Sequence, residues 1–255
     1  MKASIVIANY NNSKYINECI KSLHNQTYKD IEIIFFDDNS KDNSLEVIKK
    51  FENIKIIENK IQSKFGSFNQ INAFQKCINI SSGDIIFFLD SDDFFKNNKI
   101  EKIMQYYLNN KNKNIVFDYP IIKKDNGEIF VKKKINFFKT YWGYIHPTSC
   151  ISVRRNFVDK LFNIIVSDNF ENIWLDLRIL LFSKYLNEYN IVNDNLTFYR
   201  QFEGNESSKF KKYSKNWWKR RNEAHNYFLD FKIKNNLKVN KNLDFYITKI
   251  LNNFL

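Results

Sequence analysis

The stretch Ile85-Ile86-Phe87-Phe88-Leu89-Asp90-Ser91-Asp92-Asp93 decides the fold. Five apolar residues in a row, rich in β-branched and aromatic side chains, read as a buried strand too short for a helix. Three carboxylates in four residues, Asp90, Asp92 and Asp93, stand where that strand ends. So much negative charge against a hydrophobic core calls for something that neutralises it. In an open α/β sheet, ligands bind in the crevice beyond the carboxyl ends of the strands. Asp-x-Asp there suits a hard divalent cation, Mg²⁺ or Mn²⁺, bridging to nucleotide phosphates. A strand followed by a solvated acidic turn is the plain alternative.

Upstream, Ser4 to Ala8 is a short β-rich run that breaks at Asn9-Tyr10-Asn11-Asn12. Ser13 is the expected N-cap of a helix on which Ile16, Cys19, Ile20 and Leu23 fall at helical spacing. Asp30 to Phe36 is a second strand, and it too ends in acid, at Asp37-Asp38. A helix through Leu45 to Phe51, a strand at Ile54 to Ile57 and a helix near Phe68 to Ile78 complete the alternation. Strands alternating with helices mean a parallel sheet with right-handed crossovers. The fold class expected is therefore α/β, with a mostly parallel, Rossmann-like sheet. Adjacent parallel strands bring their carboxyl ends to one edge, so five acids are expected to crowd one crevice. One set can hydrogen-bond a base or ribose while the other holds metal on a diphosphate, and Tyr10 offers a face for a base to stack on.

Downstream the alternation loosens. Lys96 to Asn109 reads as helix and Ile115 to Tyr119 as strand. Asp125-Asn126-Gly127-Glu128 is a hairpin signal. A strand follows at Cys150 to Val153 and a helix at Asn156 to Phe162. Trp174 to Tyr185 reads as a strongly amphipathic helix, Gln201 to Lys209 as a polar loop. Helices are expected at Trp217 to Phe231 and in the tail from Leu243. The domain reading is a nucleotide-binding half over 1–95, a more variable half over 96–210, and a helical extension over 211–255.

The 255 residues suffice for a sizeable core. No apolar window approaches a transmembrane length, and the first residues are too briefly apolar for a signal peptide. Cys19, Cys77 and Cys150 are odd in number and widely spaced, which argues for packing thiols in a reducing compartment. The net charge of +12 invites a nucleic-acid reading. Basic residues run from Lys14 to Lys249 with one denser run at Lys209 to Arg221, so lysine filling surface positions is preferred and no nucleic-acid partner is expected. Anionic lipid and phosphorylated substrates stay open. Trp217-Trp218-Lys219-Arg220-Arg221 has three readings: supporting the preceding loop, gripping an anionic lipid-linked substrate, or packing and solvating a helix.

Three segments together resemble the signatures of family 2 of the nucleotide-sugar glycosyltransferases: Ser4 to Asn12, Phe36 to Asp42, and Gly83 to Asp93. Their order and separations fit, as do Gln26-Thr27-Tyr28 and Gly66 to Ala73. The resemblance implies a GT-A fold, a nucleotide-diphosphate donor (most often UDP), a divalent metal and inversion at the anomeric carbon. On it, Ala8 and Tyr10 flank the base and Asp38 hydrogen-bonds it. Asp90 and Ser91 face the nucleotide, Asp92 is the main metal ligand with Asp90, and Asp93 positions the donor sugar or braces the loop. Asn72 falls on the sugar side. Ala8-Asn9 stands where Pro-Thr or Thr-Ser is commoner, and Gln75 with Cys77 where Asn and Gly are usual.

An inverting transfer needs a carboxylate to take the acceptor's proton. In Ser167 to Arg178, Glu171-Asn172 stands where relatives carry Glu-Asp, and Asp176 sits one helical turn on in a Trp-x-Asp-x-Arg pattern. Asp176 is the preferred base, then Glu171, then Asp168. His146 and Thr148, before the Cys150 strand, are acceptor-side candidates. Tyr199-Arg200 resembles the family's Tyr-Arg segment, and that resemblance implies that Arg200 reaches the diphosphate. The function expected is transfer from a UDP-sugar to a hydroxyl of a bacterial capsule, lipooligosaccharide or related glycan acceptor, in the cytoplasm or at the inner face of its membrane. The competing readings are a non-catalytic sugar-nucleotide-binding module and a haloacid-dehalogenase-type phosphatase. Phe94 and the late placement of Asp-x-Asp speak against the second.

Overall fold

A computed structural model of the chain describes residues 1–132, 144–166, 169–202 and 204–254. The first half follows the predicted alternation: β1 (Ala3–Asn9), α1 (Ser13–His24), β2 (Ile31–Asp37), α2 (Ser44–Ile48), β3 (Ile54–Glu58), α3 (Gly66–Ile80) and β4 (Ile85–Asp90). These strands lie parallel in the order β3-β2-β1-β4, with Val6 opposite both Ile34 and Phe88. The strands read as unbroken apolar runs because helices cover both faces of the sheet. Val6, Ile34, Phe36, Ile86 and Phe88 pack on one side with Phe74 of α3. Ile5, Ile7, Ile33, Phe35, Phe87 and Leu89 pack on the other with Ile16 and Ile20 of α1.

Beyond β4 come β5 (Phe94–Phe95), α4 (Lys99–Asn109), β6 (Ile115–Lys124), β7 (Gly127–Phe130), β8 (Ile151–Arg154), α5 (Arg155–Ile165), α6 (Leu175–Leu186), β9 (Tyr189–Arg200), α7 (Lys215–Lys234) and α8 (Leu243–Phe254). The sheet continues β4-β8-β6-β9-β5, with β8 antiparallel to both β4 and β6, and β7 hairpinned onto β6 as its turn residues require. The whole is a mixed α/β sheet flanked by helices, with helices at the C-terminal end.

Three local expectations change. The twelve-residue strand β9 has no counterpart in the sequence reading, because Asn190, Asn193, Asp194 and Asn195 break its apolar pattern. It runs parallel to β6 through a register shift. Helix α6 is not amphipathic: Leu175, Leu177 and every residue from Arg178 to Ser183 are buried. The cause is α7, whose Ala224 and Tyr227 cover Leu177 and Leu181, the side of α6 that would otherwise face water. Ser13 is the first residue of α1, not its cap. Asn12 holds the cap position without a side-chain cap bond, and its amide goes instead to Ser91 Oγ (3.0 Å).

All three cysteines are buried and free. Among the described residues no helix is long and apolar enough to cross a membrane. α7 belongs to the main packing: Phe231 joins the core on the α3 side, and Tyr227 Oη donates to the carbonyl of Ile165 (3.1 Å).

The approach to β4 depends on one glycine. A Cβ on Gly83 would stand 2.6 Å from Ser4 Oγ, 2.7 Å from Ser4 N and 2.9 Å from the Ala3 carbonyl carbon. Two of those atoms are backbone of the central strand and cannot swing aside. Gly83→Ala is expected to destabilise the fold by about 1–3 kcal/mol, as overpacking does in a filled core, read as a lowered urea midpoint at unchanged slope.

Candidate active site

A cleft of about 700 Å³ opens beyond the carboxyl ends of β1, β2 and β4. Parallel register brings Asn9 level with Asp37, and Ala8 level with Asp90. Both loops leaving β1 and β2 turn sharply through Asn11 (φ 53°) and Asn39 (φ 57°), a left-handed conformation asparagine tolerates. The turns are tied together, Lys41 N donating to Asn11 Oδ1 (2.7 Å) and Asn11 N to Ser40 Oγ (3.0 Å).

The acids divide into two groups. Asp38, Asp90, Asp92 and Asp176 line the cleft. Asp37 and Asp93 do not, so fewer acids share the crevice than the strand ends suggest. Asp37 is wholly buried and accepts from Asn9 Nδ2 (2.8 Å) and Ser40 N (3.0 Å), closing the turn after β2. Asp93 accepts from Ser149 Oγ (2.6 Å) and from the backbone N–H of Arg200 (2.8 Å). Of its two expected roles, its contacts are those of the loop brace.

Asp38 receives Asn59 Nδ2 on one oxygen (2.7 Å) and Gln62 Nε2 on the other (2.9 Å). Asp90 receives Gln70 Nε2 (2.9 Å). Burial, with the facing Asp92 adding, holds the Asp90 carboxyl up at about 7. Burial raises Asp92 as well, while Arg200 works against the rise. Asp176, in the first turn of α6, is raised by burial and opposed by Arg220. One of its oxygens takes the N–H of Leu177 (2.7 Å). Asp176 reaches the cleft because Trp174 lies against the start of α3, where a Cβ on Gly66 would come within 3.0 Å of the indole.

Tyr10, 48% exposed, and Ala8 stand on the cleft wall, as does Thr148. The remaining candidates lie elsewhere. Ser91 is buried, its hydroxyl accepting from Asn12. Asn72 is about 200° around α3 from Gln70, which with Asn69 and Ala73 faces the cleft instead. His146 lies beneath the floor, its Nδ1 2.7 Å from the carbonyl oxygen of Asp118 and its ring among Phe117, Tyr119 and Tyr144. Burial pushes that imidazole down to about 4, so it stays neutral there. Glu171 is exposed outside the cleft. Asp168 lies outside the described residues. Arg200 points away from the cleft: its guanidinium pairs with Glu18, donates to the carbonyl of Asp92 (2.9 Å) and lies over the Tyr15 ring (4.5 Å).

The cleft's cations are Lys64, Lys209 and Arg220. Arg220 belongs to the aromatic-basic run of α7, whose other members divide differently, Arg221 pairing with Asp244 of α8. Gln70 and Trp174 were also absent from the sequence candidates. Nothing in the sequence marks one amide of α3 above another, and in the sequence Trp174 is only the anchor of the pattern that holds Asp176.

Beneath the floor, Lys99 and Asp118, each 1% exposed, form an ion pair (2.8 Å) that no sequence pattern announced. Lys99 Nζ also donates to the carbonyl of Ser149 (2.6 Å), and Thr197 Oγ1 to Asp118 (2.7 Å).

The family model described as Glycosyl transferase family 2 matches residues 4–169. The chain belongs to that family. An uncharacterised glycosyltransferase of Nostoc is 29% identical over 218 residues, 78% of this chain and 65% of the relative. The poly(ribitol-phosphate) β-glucosyltransferase of Bacillus spizizenii is 40% identical over 113 residues, 42% of this chain and 17% of that one. The chain thus matches less than two thirds of these relatives' lengths. Among solved structures, Staphylococcus aureus TarS residues 1–349 with UDP-GlcNAc superposes at TM-score 0.67 and 18% identity, covering 90% of this chain and 67% of that one. A Pyrobaculum calidifontis mannosyltransferase with GDP-Man and Mn²⁺ gives 0.60 at 13% identity, covering 98% and 69%. The fold of this family 2 chain is therefore GT-A, and the phosphatase alternative is set aside.

Asp90 and Asp92 have folded-state values above the usual carboxylate value of about 4, so each opposes folding once ionised. Their effect is absent below about pH 4, and stability is lost as pH rises from there to about 7. In metal-free protein, Asp90→Asn and Asp92→Asn are expected to stabilise the fold at pH 8 by on the order of 1–3 kcal/mol, seen as a raised melting temperature, and to have no effect at pH 4. Thermal denaturation across that range measures it.

Proposed function

We propose that this chain is an inverting glycosyltransferase that moves a sugar from a nucleotide-diphosphate donor, a UDP-sugar, to a hydroxyl of a bacterial surface-glycan acceptor. One observation carries the reading: Tyr10 and Asp38, the pair Asp90 and Asp92, and Asp176 share a single cleft at the carboxyl edge of the sheet. Relatives named as poly(ribitol-phosphate) glucosyl- and N-acetylglucosaminyltransferases, and TarS solved with UDP and UDP-GlcNAc, support the donor and the acceptor class.

Tyr10 presents its ring to the base, and Asp38 accepts the base's N–H, its oxygens already aligned by Asn59 and Gln62. Asp90 and Asp92 would hold a divalent cation. The residues fit one. They are hard oxygen donors, partly desolvated, with values raised by burial, the condition that cation binding relieves. Among the described residues no group of three or more His, Cys, Asp or Glu is placed to hold a metal, so an ion here would rest on Asp90 and Asp92 and complete its shell from substrate phosphates and water. When bound, such an ion neutralises charge on the diphosphate leaving group.

Asp176 then takes the proton from the acceptor hydroxyl as that oxygen bonds to the anomeric carbon. The bond from that carbon to the diphosphate breaks on the opposite face, and the nucleoside diphosphate leaves with the electron pair. Burial raises the Asp176 carboxyl toward the working pH and so makes it a stronger base. Arg220 keeps the ionised form accessible. Lys209 and Arg220 suit an acceptor that carries phosphate.

Asp176→Asn is expected to bind UDP-sugar with Mn²⁺ as the wild type does and to lose roughly 10²–10⁴-fold in kcat, the range general-base removal gives. Glu171→Gln, outside the cleft, is expected to stay near wild type. Steady-state transfer with donor titration checks both. Unchanged turnover in Asp176→Asn would remove the base from that residue.

A further inference from the structure

The net charge is not evenly carried. Residues 209–255 hold twelve of the chain's 40 Lys and Arg but three of its 28 Asp and Glu, which is +9 of the total +12. That segment forms α7 and α8. On α8 the buried residues are Phe245 and Thr248, turned toward α7. Phe245 meets His225 edge-on at 5.5 Å, Arg221 Nε donates to Asp244 (3.2 Å), and Asn252 Nδ2 donates to the carbonyl of Trp218 (3.0 Å). Among the described residues the opposite face has no such cover. Leu243 (75% exposed), Tyr246 (53%), Ile247 (42%), Ile250 (56%) and Phe254 (84%) point outward. At 3.6 residues per turn these five fall within an arc of about 100°. A soluble surface helix keeps such a stripe inward. Here five apolar side chains stand in water while Phe245 and Thr248 face the protein.

We propose that this outer face of α8, with the basic residues around it, docks the protein on an anionic phospholipid bilayer. Charge selects the occupant. A second copy of the face would bring one basic segment against another and be repelled. An anionic lipid surface attracts the lysines at long range and receives the stripe at contact. Lys238 and Lys241 are exposed just before the helix, and Lys215 and Lys219 stand near its far end, where Asn252 meets Trp218. A Tyr within an otherwise aliphatic stripe suits the boundary between headgroups and chains. The placement bears on the cleft, since α7 sends Arg220 into it while the adjacent Arg221 grips α8. Docking rests on the α8 surface and not on the chemistry assigned to the cleft.

Flotation of the whole chain with vesicles tests it, comparing phosphatidylcholine alone with phosphatidylcholine containing phosphatidylglycerol. Binding is expected to the anionic vesicles only and to weaken at high salt. The double variant Ile250→Asp, Phe254→Ser is expected to reduce it roughly tenfold or more, because two apolar side chains that the bilayer would bury are lost. Lys238→Glu with Lys241→Glu is expected to reduce it by a smaller factor. Unaltered melting temperature and UDP binding in each variant show that the fold and the cleft are intact. Three outcomes would overturn the proposal: no binding to anionic vesicles, binding that the stripe variant leaves unchanged, or a dimer in sedimentation that the stripe variant dissociates.

Discussion

The structure depends on how it tolerates carboxylates at the end of a hydrophobic sheet. β1, β2 and β4 are covered on both faces and run parallel, so their polar termini emerge together at one edge. Charge gathered there without solvent must be hydrogen-bonded, protonated or met by a cation. The chain uses the first solution for Asp37 and Asp38, whose oxygens are taken up by Asn9, Ser40, Asn59 and Gln62. Asp90 and Asp92 are left raised and facing the cleft, which is the arrangement a cation-bridged diphosphate would complete.

The floor that holds those acids is braced from below. Asp93 takes the Ser149 hydroxyl and the Arg200 amide, so the loop after β4 is fastened both to the segment before β8 and to the end of β9. Ser149 also accepts from the backbone N–H of Asp90 (3.0 Å). One layer deeper, Lys99 joins Asp118, Thr197 and the Ser149 carbonyl in a buried set whose charges are matched. Buried pairs of this kind add little net stability over apolar packing, but removing one partner strands a charge. Residues far apart in the chain are thereby locked into one arrangement around the site.

The nucleotide-side half was legible because its signals are local. Each strand is a short apolar run that ends in polar residues, and each crossover helix has its own period. Tyr10, Asp38, Asp90 and Asp92 stand at strand ends, so reading the strands also located them on the cleft. The second half was less legible because its structure is set by distant partners. The apolar pattern of β9 is broken by Asn190, Asn193, Asp194 and Asn195, and it is a strand because β6 pairs with it. α6 is buried all round because α7 returns over it. His146 lies two residues before Thr148, yet Thr148 faces the cleft and His146 fills the core, its imidazole held by the Asp118 carbonyl. The sequence around Arg200 suggests a phosphate ligand, whereas its guanidinium pairs with Glu18 on α1. Arg220, which does reach the cleft, belonged to a run that sequence alone could not divide between surface and site.

The central claim is that Asp92 and Asp90 bind a nucleoside diphosphate through a divalent cation while Asp38 and Tyr10 receive its base. Calorimetric titration of UDP into wild-type protein and Asp92→Asn, each with Mn²⁺ and with excess chelator, tests it directly. The account predicts saturable binding by the wild type with Mn²⁺ and a large loss of affinity both with chelator and in Asp92→Asn. Equal affinity under all four conditions would contradict it.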